Sequence, residues 1–115
     1  MHMIDRAIVL LKKKNPYLEW VRNLPDPDLE IGLEELNQDP SSYLIPSSED
    51  DDELLRNLKS ISSEIFKIEM NSWWTVESDW EKDLSWENFK KWYDFAISSM
   101  PLDLGEDEIF REKFY

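Results

Sequence analysis

Apolar residues follow two different periods along the chain, and these predict both strands and helices. Residues 6–12 contain a continuous apolar run, 7–11, rich in branched side chains, which is typical of a strand buried on both faces. Between Leu54 and Ile68 an apolar residue recurs every three or four positions, which predicts one face of a long amphipathic helix. The chain therefore mixes both kinds of regular structure.

Prolines and capping residues delimit the elements in the first half of the chain. Asn15-Pro16 predicts a helix start, since proline is tolerated at the first helical position. Pro25 and Pro27 end that helix because each disfavours helical geometry in the residue before it. A short helical turn over residues 33–37 and a second strand over residues 42–45 are expected next.

The second half predicts two further elements after the long helix. A helix is expected to begin near Ser85 and to continue to Ala96, with large aromatic residues on its inner face. Met100, Leu102 and Leu104 then alternate as in a final strand. The predicted order is β-α-β-α-α-β. It favours the α+β fold class, with a small three-stranded sheet and about three helices packed on it.

Length and composition indicate one domain and limit the kinds of partner. The 115 residues suffice for a single domain, 1–115, in which residues 1–3 resemble a cloning remnant. The net charge of −13 opposes binding to nucleic acids and anionic membranes and favours a basic protein partner. The chain has no cysteine, no apolar run long enough to cross a bilayer and no signal-peptide pattern, so a cytoplasmic location is expected.

Acidic residues are concentrated in one stretch of the chain. Between Asp26 and Glu53 there are eleven carboxylates and no lysine or arginine. Clustered carboxylates at residues 49–53 also suit Ca²⁺ or Mg²⁺, but their place in a first helical turn favours a capping role, and no metal or cofactor is predicted. The residues predicted to form an acidic, partner-binding surface are Asp26, Asp28, Glu30, Glu34, Glu35, Asp50, Asp51 and Asp52.

Five of the six tryptophans lie between Trp73 and Trp92. Trp73 and Trp74 are adjacent, and adjacent residues point in different directions in a helix or a strand. One of the two is therefore expected to be buried and the other exposed. The exposed member is a candidate aromatic anchor for a protein partner.

An enzymatic alternative stays open at this point. A small hydrolase or a sugar-binding protein could use a pair of carboxylates in a tryptophan-lined cleft, provided that one carboxylate has a raised pKa. The chain lacks a phosphate-binding glycine loop and a nucleophile triad independent of His2, so no catalytic residue is predicted.

Five segments also resemble a family of small, acidic, uncharacterised bacterial proteins. They are Leu33-Glu-Glu-Leu-Asn-x-Asp39, Tyr43-Leu-Ile-Pro46, Trp74-Thr-x-Glu77-x-x-Trp80, Phe89-x-x-Trp92-Tyr-Asp94 and Ser99-Met-x-x-Asp103-Leu104. The resemblance implies a stand-alone bacterial domain and assigns no site residues. The acidic stretch and the tryptophan cluster, rather than the resemblance, predict a non-enzymatic interaction domain, such as an inhibitor or immunity-like protein that docks on a basic partner. The oligomeric state is left open.

Overall fold

The computed structural model describes residues 1–114, which fold around a three-stranded antiparallel sheet. Strand β2 (Arg6–Lys13) lies in the middle, between β3 (Ser41–Pro46) and β4 (Tyr93–Ser98). A separate pair joins β1 (His2–Met3) to β5 (Leu102–Asp103). The helical elements, in chain order, are α1 (Asn15–Arg22), α2 (Leu33–Leu36), α3 (Asp51–Trp73), a 3₁₀ turn (Glu77–Asp79) and α4 (Trp86–Trp92).

The hydrophobic core lies on one face of the sheet. Ala7, Val9 and Leu11 of β2 are buried there, together with side chains of α1, α3 and α4. On the opposite face Leu10 remains 47% exposed and Leu44, on β3, 57%. The prediction that β2 is buried on both faces is therefore wrong, because the helices pack on only one face of the sheet.

Helix α3 is the longest element and crosses the inner face of the sheet. It starts at Asp50, whose side chain accepts a hydrogen bond from the Asp52 N–H at 2.9 Å. Leu58, Ile65 and Phe66 are buried, whereas Ile61 is only half-buried. The inner face is therefore rotated from the predicted stripe toward the larger side chains of the second half of the helix.

The predicted third helix is too long at its C-terminal end. Helix α4 ends at Trp92, and residues 93–98 continue directly as β4, which pairs with β2. Tyr93, Phe95 and Ile97 alternate with smaller or polar residues, which is the period of a strand. Pairing with β2 stabilises the strand in residues 93–98 over the helix that the sequence predicted there.

The predicted final strand is a short element outside the main sheet. Only Leu102–Asp103 is a strand, and it pairs with His2–Met3 instead of with β2. The third strand of the main sheet is β4. The fold class is nevertheless as predicted: the protein is α+β, with a small antiparallel sheet and about four helices. Within residues 1–114 no helix is both long and apolar enough to span a bilayer.

Candidate functional site

Five of the eight predicted acidic residues lie between α1 and β3 and are exposed to solvent. We call these five the acidic loop: Asp26, Asp28, Glu30, Glu34 and Glu35. The Arg22 side chain holds this segment against α1 by donating to the backbone oxygen of Ile31 at 3.0 Å. Asp28 accepts a hydrogen bond from the Glu30 N–H, and Glu35 accepts one from the Gly32 N–H. These carboxylates thus shape the loop and also face the solvent.

The other three acidic residues lie at the start of α3. Asp50, Asp51 and Asp52 are exposed, and only Asp50 acts as the cap. Strand β3 runs between the acidic loop and this group, and its six residues span about 20 Å at roughly 3.3 Å per residue. The eight residues therefore fall into two groups, one before and one after β3 in the chain.

Neither acidic group forms an ion pair with a cation within residues 1–114. In the described part of the chain the ion pairs are Arg6–Asp5, Lys13–Glu69 and Lys14–Asp94. None of them involves the acidic loop or the start of α3. Uncompensated carboxylates in solvent create a negative potential that extends roughly one Debye length, about 8 Å at physiological salt.

Trp73 and Trp74 are both half-buried, so the expected division into one buried and one exposed residue is wrong. Helix α3 ends at Trp73, which packs against the core, and Trp74 has extended backbone geometry. The following turn folds back over Trp74, whose Nε1 donates to Asp79 Oδ2 at 3.0 Å. A change of backbone direction between the two residues gives each of them partial cover.

Three indole N–H groups close this turn. Besides Trp74, Trp80 Nε1 donates to the Trp74 backbone oxygen at 2.7 Å, and Trp20 Nε1 donates to the Asp79 backbone oxygen at 2.9 Å. The turn therefore joins α1 to the end of α3. These tryptophans have a clear structural role, and Trp73 and Trp74 can offer a partner only their exposed edges.

A buried carboxylate that sequence reasoning did not single out lies between α3 and the sheet. Glu69 is 3% exposed, and Lys13 Nζ lies 3.2 Å from its Oε1. The Ser41 hydroxyl donates to the same oxygen at 2.9 Å, and the Tyr43 hydroxyl donates to Oε2. The Tyr17 hydroxyl donates to the Glu69 backbone oxygen at 2.8 Å. We call these five residues the Glu69 network.

Two sequence signals could have identified the Glu69 network. Lys13 lies two residues after Leu11, so strand alternation places it on the inner face. Glu69 lies four residues after Ile65, so helical spacing places it on the inner face of α3. A lysine and a glutamate that both face a core are expected to pair, because an unpaired buried charge is strongly unfavourable.

The Glu69 network is suited to holding elements together, and the buried tyrosines in it and beside it are weak acids. Burial raises the pKa of Tyr17 and Tyr93 well above the ordinary tyrosine value, and the nearby charge of Glu69 raises it further. Both phenols therefore stay protonated at neutral pH. Within residues 1–114 Glu69 is the one buried carboxylate, and no group of three or more potential ligands could hold a metal ion.

Removing one partner of the Lys13–Glu69 pair should destabilise the protein strongly. Glu69→Gln leaves a buried ammonium without a counter-charge, and we expect the free energy of unfolding to fall by about 3–5 kcal/mol. The double variant Lys13→Met/Glu69→Met should recover most of that loss, since it buries no charge. Urea denaturation of Lys13→Met, Glu69→Met and the double variant measures the coupling. Additive losses would contradict a direct pairing.

Tyr17 and Tyr93 should respond differently to loss of the hydroxyl. The Tyr93 hydroxyl is buried without a hydrogen-bond partner among the described residues, so Tyr93→Phe should be neutral or stabilising. Tyr17→Phe should lower the free energy of unfolding by about 1 kcal/mol, because it removes the bond to Glu69. Urea denaturation at pH 7 compares the two variants. A larger loss for Tyr93→Phe would contradict the assignment.

The same pair of variants should change the alkaline limb of the stability curve. The raised pKa values mean that the stabilisation is complete below pH ~10, where unfolded tyrosines are also protonated, and is lost as the pH rises further. Each buried tyrosine contributes a slope of about 1.4 kcal/mol per pH unit. Urea denaturation at pH values from about 7 to about 11 measures the free energy of unfolding on both sides of pH ~10. Above pH ~10, this free energy should fall less steeply with pH in either phenylalanine variant than in the unmodified protein.

Comparison with known proteins adds no assignment. No protein-family model, no curated protein and no solved structure matches the chain. The resemblance to small, acidic bacterial proteins therefore stays a prediction from the sequence. Function has to be inferred from the exposed carboxylates, the tryptophan turn and the Glu69 network.

Proposed function

We propose that this protein is a non-enzymatic binding domain that docks on a basic protein partner through its exposed carboxylates. The observation that carries the proposal is the unpaired state of the acidic loop and of the acidic start of α3. All eight residues are exposed, and none forms an ion pair with the described part of the chain. Their charges are therefore available to a partner.

The mechanism is electrostatic steering followed by short-range contact. A net charge of −13 attracts a basic partner before the surfaces touch and raises the association rate, more strongly at low salt. Leu29, 67% exposed between Asp28 and Glu30, offers an apolar contact inside the acidic loop. The exposed edges of Trp73 and Trp74 remain candidates for the aromatic anchor.

The hydrolase alternative has less support. Carboxylate catalysis needs two acidic groups in one site, with the pKa of one raised by its surroundings. Glu69 is buried but is held by a lysine and two hydroxyls. Asp79, beside the tryptophans, accepts a hydrogen bond from Trp74. Neither carboxylate is paired with a second one by a contact in the described residues, so the geometry favours binding.

Several kinds of acidic binder fit this proposal to different degrees. An inhibitor or immunity-like protein needs only a complementary patch, which either acidic group could supply. A nucleic-acid mimic needs carboxylates in a regular row, whereas these are divided between segments before and after β3. The proposal therefore favours the inhibitor-like class. It includes a cytoplasmic location, for which the absence of cysteine is the support.

Neutralising the acidic loop should weaken partner binding specifically. We expect the triple variant Asp26→Asn/Asp28→Asn/Glu30→Gln to bind a purified, co-isolated basic partner at least tenfold more weakly at low salt, since three charge contacts of roughly 0.5 kcal/mol each are lost. The matched control is Glu106→Gln/Asp107→Asn/Glu108→Gln, which removes the same charge from another exposed segment. Calorimetric titration measures both affinities.

Salt dependence provides the outcome that would contradict the proposal. The affinity of the unmodified protein should fall steeply as salt rises from low to physiological concentration and beyond, because exposed charges are screened. An affinity that does not change with salt would contradict docking through the acidic loop. Equal losses of affinity in the triple variant and its control would contradict it as well.

A further inference from the structure

Strand β4 forms an edge of the sheet with a free row of backbone groups. The sheet order is β3-β2-β4, so β4 is paired on one side only within residues 1–114. The Lys14 N–H donates to the Trp92 oxygen at 2.8 Å. Together with the register, this bond shows which residues of β4 direct their backbone groups toward β2. In an antiparallel pair every second residue bonds the neighbour, so Asp94 and Ala96 face β2. The N–H and C=O groups of Phe95 and Ile97 then point to the free edge.

A groove of about 440 Å³ runs beside that edge, between β4 and the start of α3. Its apolar wall includes Phe95, Ile97 and Leu55, of which Leu55 is 42% exposed. Asp51 and Asp52 form the acidic rim. The inward-facing side chains of β4 thus line the groove, and the unpaired backbone groups of the same residues lie next to it.

The opposite edge of the sheet, strand β3, lacks these features. By the same alternation Ser42, Leu44 and Pro46 present their backbone groups to the outer edge of β3. Pro46 has no N–H to donate, and Leu44 points to the open face of the sheet, away from the helices. A pairing strand would therefore find fewer donors there.

We propose that β4 and this groove bind an extended segment of the basic partner as an added strand. The segment would place apolar side chains against Phe95 and Ile97 and a lysine or arginine beside Asp51 and Asp52. Addition of a strand to a free edge provides backbone hydrogen bonds, and alternate side chains provide specificity. The inference rests on the proposed function, because Asp51 and Asp52 belong to the exposed carboxylates assigned there to partner binding.

Charge indicates which segment binds in the groove. A basic, apolar segment complements a rim of two carboxylates with no ion-pair partner among the described residues. A second copy would bring another net charge of −13 to the same place, which opposes association. The C-terminal segment Glu106–Ile109 of the same chain lines a different cavity, beside residues 2–5. A basic partner segment is the occupant that fits best.

The test uses the peptide Lys-Thr-Val-Thr-Val-Thr-Lys, acetylated and amidated, with the intact protein. Its valines and lysines share one face, and its symmetry allows either strand direction. One control peptide carries glutamate in place of lysine, and the other is N-methylated at the central Val-Thr-Val. Amide NMR measures affinity and the hydrogen-exchange rates of Phe95 and Ile97. We expect binding by the first peptide alone, with exchange at both amides slowed several-fold or more.

Matched protein variants separate the groove from the acidic loop. The variant Asp51→Asn/Asp52→Asn should lower the affinity for the peptide by up to about tenfold. The variant Asp26→Asn/Asp28→Asn removes the same charge and should change this affinity by less than about twofold. Leu55→Ala, at a partly exposed position, should also weaken binding. Thermal melts confirm that each variant is folded before its affinity is compared.

Three results would overturn the inference. They are the absence of saturable binding at millimolar peptide, equal affinity of the N-methylated peptide, and equal losses in the two aspartate pairs. Protection of Phe95 and Ile97 that grows with protein concentration without peptide would assign the edge to self-association instead. If the peptide fails while the acidic-loop variant still loses the partner, only the groove is refuted. If the partner is insensitive to the acidic loop and to salt, the proposed function itself is refuted.

Discussion

The buried pair of Lys13 and Glu69 is the interaction on which the rest of this structure depends. Removing two charges from water costs several kcal/mol per ion, so the pair is favourable only where further hydrogen bonds satisfy both groups. Ser41 and Tyr43 supply such bonds to Glu69 from β3, and Lys13 belongs to β2. One carboxylate on α3 is thereby fixed to two strands at once. Apolar packing alone has no comparable preference for one register.

The position of this pair determines where the first turn of α3 lies relative to β4. The helix has 23 residues and is therefore about 35 Å long at roughly 1.5 Å per residue. Its second half is held against β2 and β3 by Glu69, and its first turn reaches β4 near Phe95 and Ile97. The acidic rim and the apolar wall of the groove thus come together because the helix is fixed at a distant point.

Sequence reasoning identified the elements whose signals are local and missed those that depend on pairing. Residue type and spacing predict a cap at Ser48 or Asp50 and a helix start near Ser85, and the structure has caps at Asp50 and Ser85. Residues 89–97 contain apolar residues at both helical and strand spacing, and only pairing with β2 decides between the two. Likewise, no local pattern showed that all the helices pack on one face of the sheet.

In the candidate site, too, some features follow from the sequence and others depend on the tertiary fold. The exposure of the eight acidic residues could be expected from their charge alone. The covering of Trp74 depends on a hydrogen bond from a turn that has no strong sequence signature. The groove combines residues from distant parts of the chain, and only the tertiary fold brings Asp51 beside Phe95.

Native-state hydrogen exchange tests most directly whether the Glu69 network fixes α3 to the sheet. Amide protons of Phe66, Glu69 and Met70 should exchange only through global unfolding, with the same free energy as those of Val9 and Leu11. Protons in the first turns of α3 should exchange through smaller openings. If the amides around Glu69 open with a free energy clearly below the global value, the network does not hold the helix in place.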